Sequence, residues 1–385
     1  MSNWTVPYRL LDTEQNEFLD HHLYDGHNYW ISGFPGSGKS TLLMHAARLI
    51  RQDHPNASIL FVVYTRSLIE MFNAGFKDSG LNGISIETMY EFMRSRGHYE
   101  YIFCDEVQDL PASFLSAMRE CSDHLIVAGD PNQSIYAVDV KYQQPTVTPA
   151  QIPSLIGGNT FELNIVHRIS PSIQKAIQRL VPNLNRLASL RNMANHSTQI
   201  RICSASSTSH ELEYVWREAQ KGPRVGETSA ILVPNRSAII NTVEDILGQE
   251  GKPRWQQVAN NWGQPDFANM NRYLQQQGVN LMCVGNGYGN FMQNNKVYIM
   301  TYYSAKGLDF DNVFLPGLNQ NFYIFHDDDI SRAVFMVGMT RSRNNLYITC
   351  CGSEHYYLRS FSSDCARIDI EQALKPANAE AVLGF

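Results

Sequence analysis

The chain has 385 residues, 43% of them hydrophobic, which is enough for a sizeable core and more than one ordinary domain needs, so two domains are expected. Charged residues make up 18% and the formal net charge is −6, which excludes extended disorder and a uniformly basic surface; any nucleic-acid contact must come from a local groove. The seven cysteines are odd in number and lack CxxC spacing, and Cys350 and Cys351 are adjacent on a strand-like run, so reduced core thiols are expected rather than a disulfide framework or a zinc site.

The first residues lack a basic segment followed by an apolar run, and no apolar stretch is long enough to span a bilayer. A soluble, cytoplasmic protein with no membrane contact is the expectation. In chain order, apolar strand-like runs occupy Tyr29 to Ser32, Ile59 to Tyr64, Tyr101 to Asp105 and Leu125 to Gly129, each ending at a polar or glycine-rich loop. Apolar residues at helical spacing follow Ser40. Pro and Gly then cluster from Pro149 to Asn159, predicting a boundary between domains at 1–155 and 156–385. Beyond it, strands are predicted at Ile200 to Ser204, Ala230 to Val233, Val297 to Thr301, Asn312 to Leu315 and Leu346 to Cys350. Helices are predicted at Pro171 to Leu180, Ser209 to Gln220, Ser237 to Gly248 and Asp329 to Thr340. The Gln-, Asn- and Gly-rich segment from Gly251 to Asn295 reads as an irregular, partly exposed insertion, with a flexible loop at Gly285 to Asn290. Strand and helix in alternation, twice over, is the pattern of an α/β protein with parallel sheets.

Gly33-Phe34-Pro35-Gly36-Ser37-Gly38-Lys39-Ser40 fits the G-x-x-x-x-G-K-[ST] phosphate loop, and it has the required context of a strand before and a helix after. The glycines let backbone N–H groups curl around phosphates, and the helix N-terminus adds its positive end. Lys39 supplies charge to the β- and γ-phosphates, Ser40 is a magnesium ligand, and Thr41 completes the nucleotide-binding segment. The apolar run Ile102 to Cys104 delivers Asp105 and Glu106 at its end. In that position Asp105 would hold the metal, and Glu106 would act as general base toward the attacking water.

The order of motifs goes further. Asp105-Glu106-Val107-Gln108-Asp109, Gly129-Asp130-Pro131-Asn132-Gln133-Ser134-Ile135-Tyr136, Thr301 to Phe310 (TYYSAKGLDF) and Val337 to Arg343 (VGMTRSR) run in sequence along the chain. They resemble the DExQD, GDxxQSIY, TxxSAKGLEF and VAxTRAK motifs of the UvrD/Rep-like superfamily 1 DNA helicases, and the resemblance extends from Gln15 to about Thr349. It implies two RecA-like domains with ATP and Mg²⁺ bound in the cleft between them. It further implies that Gln15 reads adenine, that Gln133 senses the γ-phosphate, and that Arg168 and Arg341 reach that phosphate from the second domain. By the same resemblance, His167 stands where the family often stacks a tyrosine on adenine, and Gly307 and Asp309 lie near the γ-phosphate and ribose. Asp309 replaces the usual Glu.

The nucleic-acid side matches less well. Tyr64-Thr65-Arg66 resembles the family's TFTN segment and Thr88-Met89-Tyr90 its TFHS segment, while Tyr136 and Ser304 fall in motifs that face single-stranded DNA. The W-R-G that follows SIY in the family is replaced by Val138-Asp139-Val140, and an aspartate there is expected to repel phosphate. The stretch from Thr88 to Asp105 is too short for the subdomain that full-length members insert. The resemblance therefore implies a compact motor, moving 3′ to 5′ on single-stranded DNA. The alternative is a subunit that senses nucleotide and DNA ends and regulates a partner such as a nuclease, similar in general design to compact UvrD-like proteins of Gabija-type phage defence.

Overall fold

Strands buried on both faces must be covered on both faces, which selects a parallel sheet with helices on either side. The computed structural model describes residues 6–64, 66–131, 138–139, 141–182, 190–261, 263–285, 295–324 and 327–375, with the backbone alone at 66, 67, 70, 71 and 74. Six strands form the first sheet: β1 (Tyr29–Gly33), β2 (Ile59–Val63), β3 (Ser85–Thr88), β4 (Tyr99–Cys104), β5 (Ser122–Gly129) and β6 (Asn159–Leu163). Their order is β3-β2-β4-β5-β1-β6 and every pairing is parallel, with Ile31 opposite Ala128 and Cys104 opposite Val127. A parallel sheet brings all carboxyl ends to one edge. The ends of β1, β4 and β5 therefore carry the phosphate loop, Asp105 and Asp130 to the same rim, where open α/β sheets bind ligands.

Seven more strands form the second sheet: β7 (Gln199–Ala205), β8 (Ser229–Val233), β9 (Leu281–Cys283), β10 (Val297–Thr301), β11 (Phe310–Leu315), β12 (Ser342–Cys351) and β13 (Ala366–Asp369). The order is β9-β10-β8-β11-β12-β7-β13, again all parallel. The apolar faces of helices Pro171–Leu180 and Asp328–Met339 pack on one side of this sheet. Those of Thr208–Ala219, Arg236–Gln249 and Phe267–Gln276 pack on the other. The fold class is α/β, with two RecA-like lobes.

Two sequence expectations are corrected. The first sheet keeps the chain until Leu163, beyond the boundary read at 155/156, because Asn159–Leu163 pairs with β1 in register from Tyr29↔Asn159 to Gly33↔Leu163. As an edge strand it is largely exposed, so its composition (NTFEL) lacks a buried run. The segment from Gly251 to Asn295 is not an irregular insertion. It contributes the helix Phe267–Gln276 and the edge strand β9. Trp255, Phe267, Met270, Leu274 and Leu281 join the second-lobe core at helical and strand spacing, hidden among Gln and Asn. Residues 286–290 of the expected flexible loop lie outside the described residues. Two further edge strands, β3 and β13, were not marked by periodicity.

Between Thr88 and Asp105 there is only one short helix, Met89–Ser95, and β4, so no subdomain is inserted there. The lobes also meet directly. Phe34 of the phosphate loop is 4% exposed and belongs to the core cluster of the second lobe, beside Val166, Ile169 and Tyr302.

Candidate nucleotide site and nucleic-acid face

The phosphate loop turns at Gly36 and Gly38, at φ of 79° and 82°, which a residue with Cβ rarely adopts. A Cβ on Gly38 would also fall 2.2 Å from Gln15 Nε2. Gln15 is buried and its amide does two jobs: Oε1 accepts the Asp12 N–H at 3.1 Å, and Nε2 donates to the Ser37 carbonyl at 3.1 Å. It thereby fixes the helix Thr13–Glu17 to the phosphate loop. Lys39 Nζ donates to the carbonyls of Gly33 at 2.8 Å and Phe34 at 3.3 Å. Burial lowers the pKa of this lysine, against the pull of Asp130, Glu106 and Asp105. Ser37 Oγ is buried with no hydrogen-bond partner. An ammonium and a helix N-terminus converging on one turn fit the oxygens of a polyphosphate.

Asp105 caps β4. Its Oδ2 accepts Ser40 Oγ at 2.5 Å and its Oδ1 accepts the Glu106 N–H at 2.9 Å. Burial, reinforced by the neighbouring Glu106, pushes Asp105 up to about 6. Burial pushes Glu106 the same way, but Lys306 and Lys39 outweigh it and hold that carboxyl below its usual range. The hydroxyl of Ser40 and the carboxylate of Asp105 are hard oxygen donors side by side, the donor set that suits magnesium. Glu106 has φ 59° and ψ 40°, a left-handed backbone that costs a residue with Cβ about 1–3 kcal/mol. Its Oε2 accepts Gln108 Nε2 at 2.7 Å.

Both lobes line one cleft of about 480 Å³. Gln15, Pro35, Gly36, Gly38, Lys39, Ser40, Thr41, Asp105 and Glu106 come from the first lobe; His167, Arg168, Gly307, Asp309 and Arg341 lie on the side of the second. Of the nucleotide residues assigned from sequence, Gly33, Phe34 and Ser37 do not line it. Gly33 and Phe34 serve through their carbonyls, and the Phe34 ring is buried against the second lobe. The His167 N–H donates to the Gly36 carbonyl at 2.9 Å, and its ring Nε2 lies 2.6 Å from Asp12 Oδ2. Asp309 gathers two arginines: Arg343 reaches it with Nη2 at 2.6 Å and Nε at 2.7 Å, and Arg168 Nη1 lies 3.6 Å away. Burial would raise the Asp309 pKa, yet Arg168 and Arg343 bring it below the usual carboxylate range. Arg341 is 2% exposed, and its guanidinium donates to Val337 O, Leu308 O and Thr340 Oγ1 at 3.0, 3.0 and 2.8 Å, all within its own lobe. Burial and the nearby Arg168 push it down to about 9.

Sequence reasoning missed Val6, Leu10, His196, Arg343 and Asn344 in the lining. Arg343 stood inside a quoted motif, so a second arginine two positions after Arg341 was the available signal. Val6 and Leu10 carried none.

On the nucleic-acid side, Gln133, Tyr136 and Thr65 lie outside the described residues, and Arg66 is described only as the first residue of the helix Arg66–Asp78. Tyr64 is half-buried against the first-lobe core. Thr88 is buried and spends its hydroxyl locally, capping the helix Met89–Ser95 and donating to Glu91 Oε2 at 2.8 Å. Ser304 is half-buried and its N–H donates to Thr301 Oγ1 at 3.1 Å. The expectation for Asp139 is overturned: it is 1% exposed and turned inward. Its carboxylate accepts Tyr90 Oη at 2.6 Å and the N–H groups of Lys141 and Tyr142 at 3.1 and 2.6 Å. It therefore organises a small platform in which the Tyr90 and Tyr142 rings stack at 5.9 Å and 15°, with Lys141 Nζ 4.9 and 5.2 Å from their centroids.

Two family models match this chain: the viral superfamily 1 RNA helicase core domain over residues 29–215, and the UvrD-like helicase C-terminal domain over residues 277–353. Over 74 residues the chain is 38% identical to the ATP-dependent DNA helicase Rep of Buchnera aphidicola subsp. Schizaphis graminum (strain Sg), a match that spans 18% of this chain and 11% of that protein. A solved structure of the PRRSV helicase aligns over 84% of this chain and 52% of its own, at 14% identity and a TM-score of 0.43. Among the described residues no helix is long and apolar enough to cross a membrane. The superfamily 1 core match takes in Lys39 and Glu106, and the UvrD-like match takes in Gly307, Asp309 and Arg341, so each lobe of this chain carries a segment similar to superfamily 1 helicase domains.

Proposed function

We propose that the protein is a magnesium-dependent ATPase that converts hydrolysis into movement along single-stranded DNA, in the 3′ to 5′ direction. One observation carries the reading. A lysine, a serine and two carboxylates from one sheet, and arginines from the other, line a single cleft.

With ATP in that cleft, Lys39 and the loop N–H groups neutralise the β- and γ-phosphate oxygens. Glu106 takes the proton of the attacking water. Arg168, Arg341 and Arg343 line the cleft on the second-lobe side; buried guanidinium groups that meet developing charge on the transferred phosphoryl group accelerate such reactions by about 10³–10⁵. Magnesium held by Ser40 and Asp105 would supply charge neutralisation on the phosphate oxygens. Because the catalytic groups sit on two lobes, turnover requires the lobes to close and product release requires them to part. A nucleic-acid strand lying across both lobes would then be gripped by each in turn.

The test is steady-state phosphate release with and without single-stranded DNA, and with RNA of the same sequence, at stated salt. A stimulation of tenfold or more by DNA over RNA supports the translocase. No stimulation by either polymer sinks it. The loss of W-R-G after SIY favours a second reading, a nucleotide-gated subunit that controls a nuclease or other partner protein, as in anti-phage defence. In that case the chain alone is unresponsive to DNA ends, and stimulation returns when proteins that copurify with it are added.

A further inference from the structure

One cationic side chain crosses between the lobes with no role so far. Lys306 belongs to the second lobe, on the turn between β10 and β11, and is 4% exposed. Its ammonium is ion-paired with Asp109 and stands 3.5 Å from Glu106 Oε2; both carboxylates belong to the first lobe and are 0% and 12% exposed. Burial works against the charged form, but Asp109 and Glu106 more than compensate and hold the lysine above its usual range. An ammonium in so dry a place is tolerable only when paired, because an unpaired buried charge costs several kcal/mol. The partners are within reach only while the lobes are in contact.

The geometry around Glu106 is selective. Its Oε2 accepts Gln108 Nε2 at 2.7 Å and is also the oxygen that faces Lys306. Oε1 takes part in neither contact and is the oxygen left for a water. The turn that carries Lys306 is stiff: Ser304 N–H donates to Thr301 Oγ1, Ala305 N–H to Thr301 O, and Leu308 N–H to Ala305 O. It is also docked flush, since a Cβ on Gly307 would stand 2.7 Å from Leu68 Cδ2 of the first lobe.

We propose that Lys306 is a positioning residue that reports lobe closure to the general base: the closing second lobe inserts its ammonium between Asp109 and Glu106, fixes Glu106 through Oε2, and leaves Oε1 aimed at the attacking water only in the closed cleft. Hydrolysis in an open cleft is thereby suppressed. The assignment rests on the reading of Glu106 as general base. Ser304 lies two residues away on the same turn, so a strand held there engages the element that carries the ammonium.

Lys306→Met, Lys306→Arg, Asp109→Asn and the Lys306→Met/Asp109→Asn pair test this in the full chain, with Mg-ATP for turnover and a non-hydrolysable ATP analogue for binding. Small displacements of a reacting group cost about 10²-fold, so Lys306→Met should lower kcat by about that factor while analogue affinity changes less than about threefold. Lys306→Arg should recover at least a tenth of wild-type kcat. The pair should be no slower than Lys306→Met alone, since each substitution breaks the same contact. A Lys306→Met kcat within threefold of wild type, a loss expressed mainly as weaker analogue binding, or multiplicative losses in the pair would each overturn the assignment. Where Lys306→Met fails to fold, the Arg variant and Asp109→Asn carry the test, and equal turnover of both with wild type overturns it. Glu106→Gln separates the two ideas: if it stays active, the general base is wrong. If it is inactive while Lys306→Met is normal, only the role of Lys306 falls.

Discussion

At the rim of the first lobe formed by β1, β4 and β5, Asp105 and Asp130 are almost wholly buried and Lys39 is held by carbonyls of its own loop. Around Tyr142 the groups are more open: Tyr142 is 36% exposed, with its ring stacked on Tyr90, beside Lys141 and edge-on to the core ring of Phe114. The two regions face different demands. Phosphoryl transfer needs specific atoms held to within tenths of an ångström, so residue types there are fixed by chemistry. Gripping a strand needs only a π-face and a positive charge nearby, which several residues can supply from several positions. Under the proposed function, that difference accounts for a phosphate loop that matches its motif residue for residue beside a replaced W-R-G.

The comparison breaks most decisively at the nucleotide rim. Lys39→Ala or Glu106→Gln should reduce phosphate release by more than about 10²-fold and leave nucleotide-free binding to a single-stranded oligonucleotide within a few-fold of wild type. Fluorescence anisotropy beside a phosphate assay reads both. Retention of more than roughly a tenth of the turnover by either variant contradicts its assigned role.

The arginines of the second lobe come next. Arg343 is half-buried and bonded to one side chain, Asp309, so Arg343→Ala should cut turnover by about 10–10³-fold with little change in Tm. Arg341 supports Val337 O, Leu308 O and Thr340 Oγ1 from inside the lobe. Its removal strands buried polar groups at about 1–3 kcal/mol each, so Arg341→Ala should lower Tm as well as turnover. Thermal melts and kcat on the two variants separate catalytic from supporting arginine. The reverse pattern would exchange their roles.

Much of this was legible beforehand, for identifiable reasons. Helix Pro171–Leu180 and strand Val297–Thr301 were readable to the residue, because a serine cap with proline at the first turn and an all-buried run leave sharp marks. The phosphate loop and the Asp105–Glu106 pair were readable because their spacing is the chemistry. Edge strands such as Asn159–Leu163 were not, since an exposed strand carries no apolar signature. Nor was the contact of Lys306 with Asp109: the motifs named both residues, but only the docking of two lobes puts them together. Composition misled at Asp139, where a charge that looked repulsive in one dimension is turned inward in three.

Asp139 gives the next smaller effect. Asp139→Ala leaves the Tyr90 hydroxyl and the N–H groups of Lys141 and Tyr142 without their acceptor. A loss of about 1–3 kcal/mol in unfolding free energy is expected, together with weaker oligonucleotide binding, because the platform it organises loosens. An aspartate that merely repelled phosphate would give the opposite sign in binding, so anisotropy titrations on this variant decide between the two roles.

The smallest effect belongs to Tyr142 itself. A base stacked on an aromatic ring is worth about 1–3 kcal/mol, and the Tyr142 ring is already engaged by Tyr90 and Lys141, so the lower end applies. Tyr142→Ala should weaken oligonucleotide binding by about fivefold, Tyr142→Phe should leave it unchanged, and neither should alter turnover at saturating strand. Lys141→Ala should reduce the dependence of binding on salt, since it removes one positive charge beside the stacked rings. Equal binding by Tyr142→Ala and wild type across the salt range would move the grip elsewhere, to Tyr64 or Ser304. The nucleic-acid side would then tolerate not only a change of residue but a change of place.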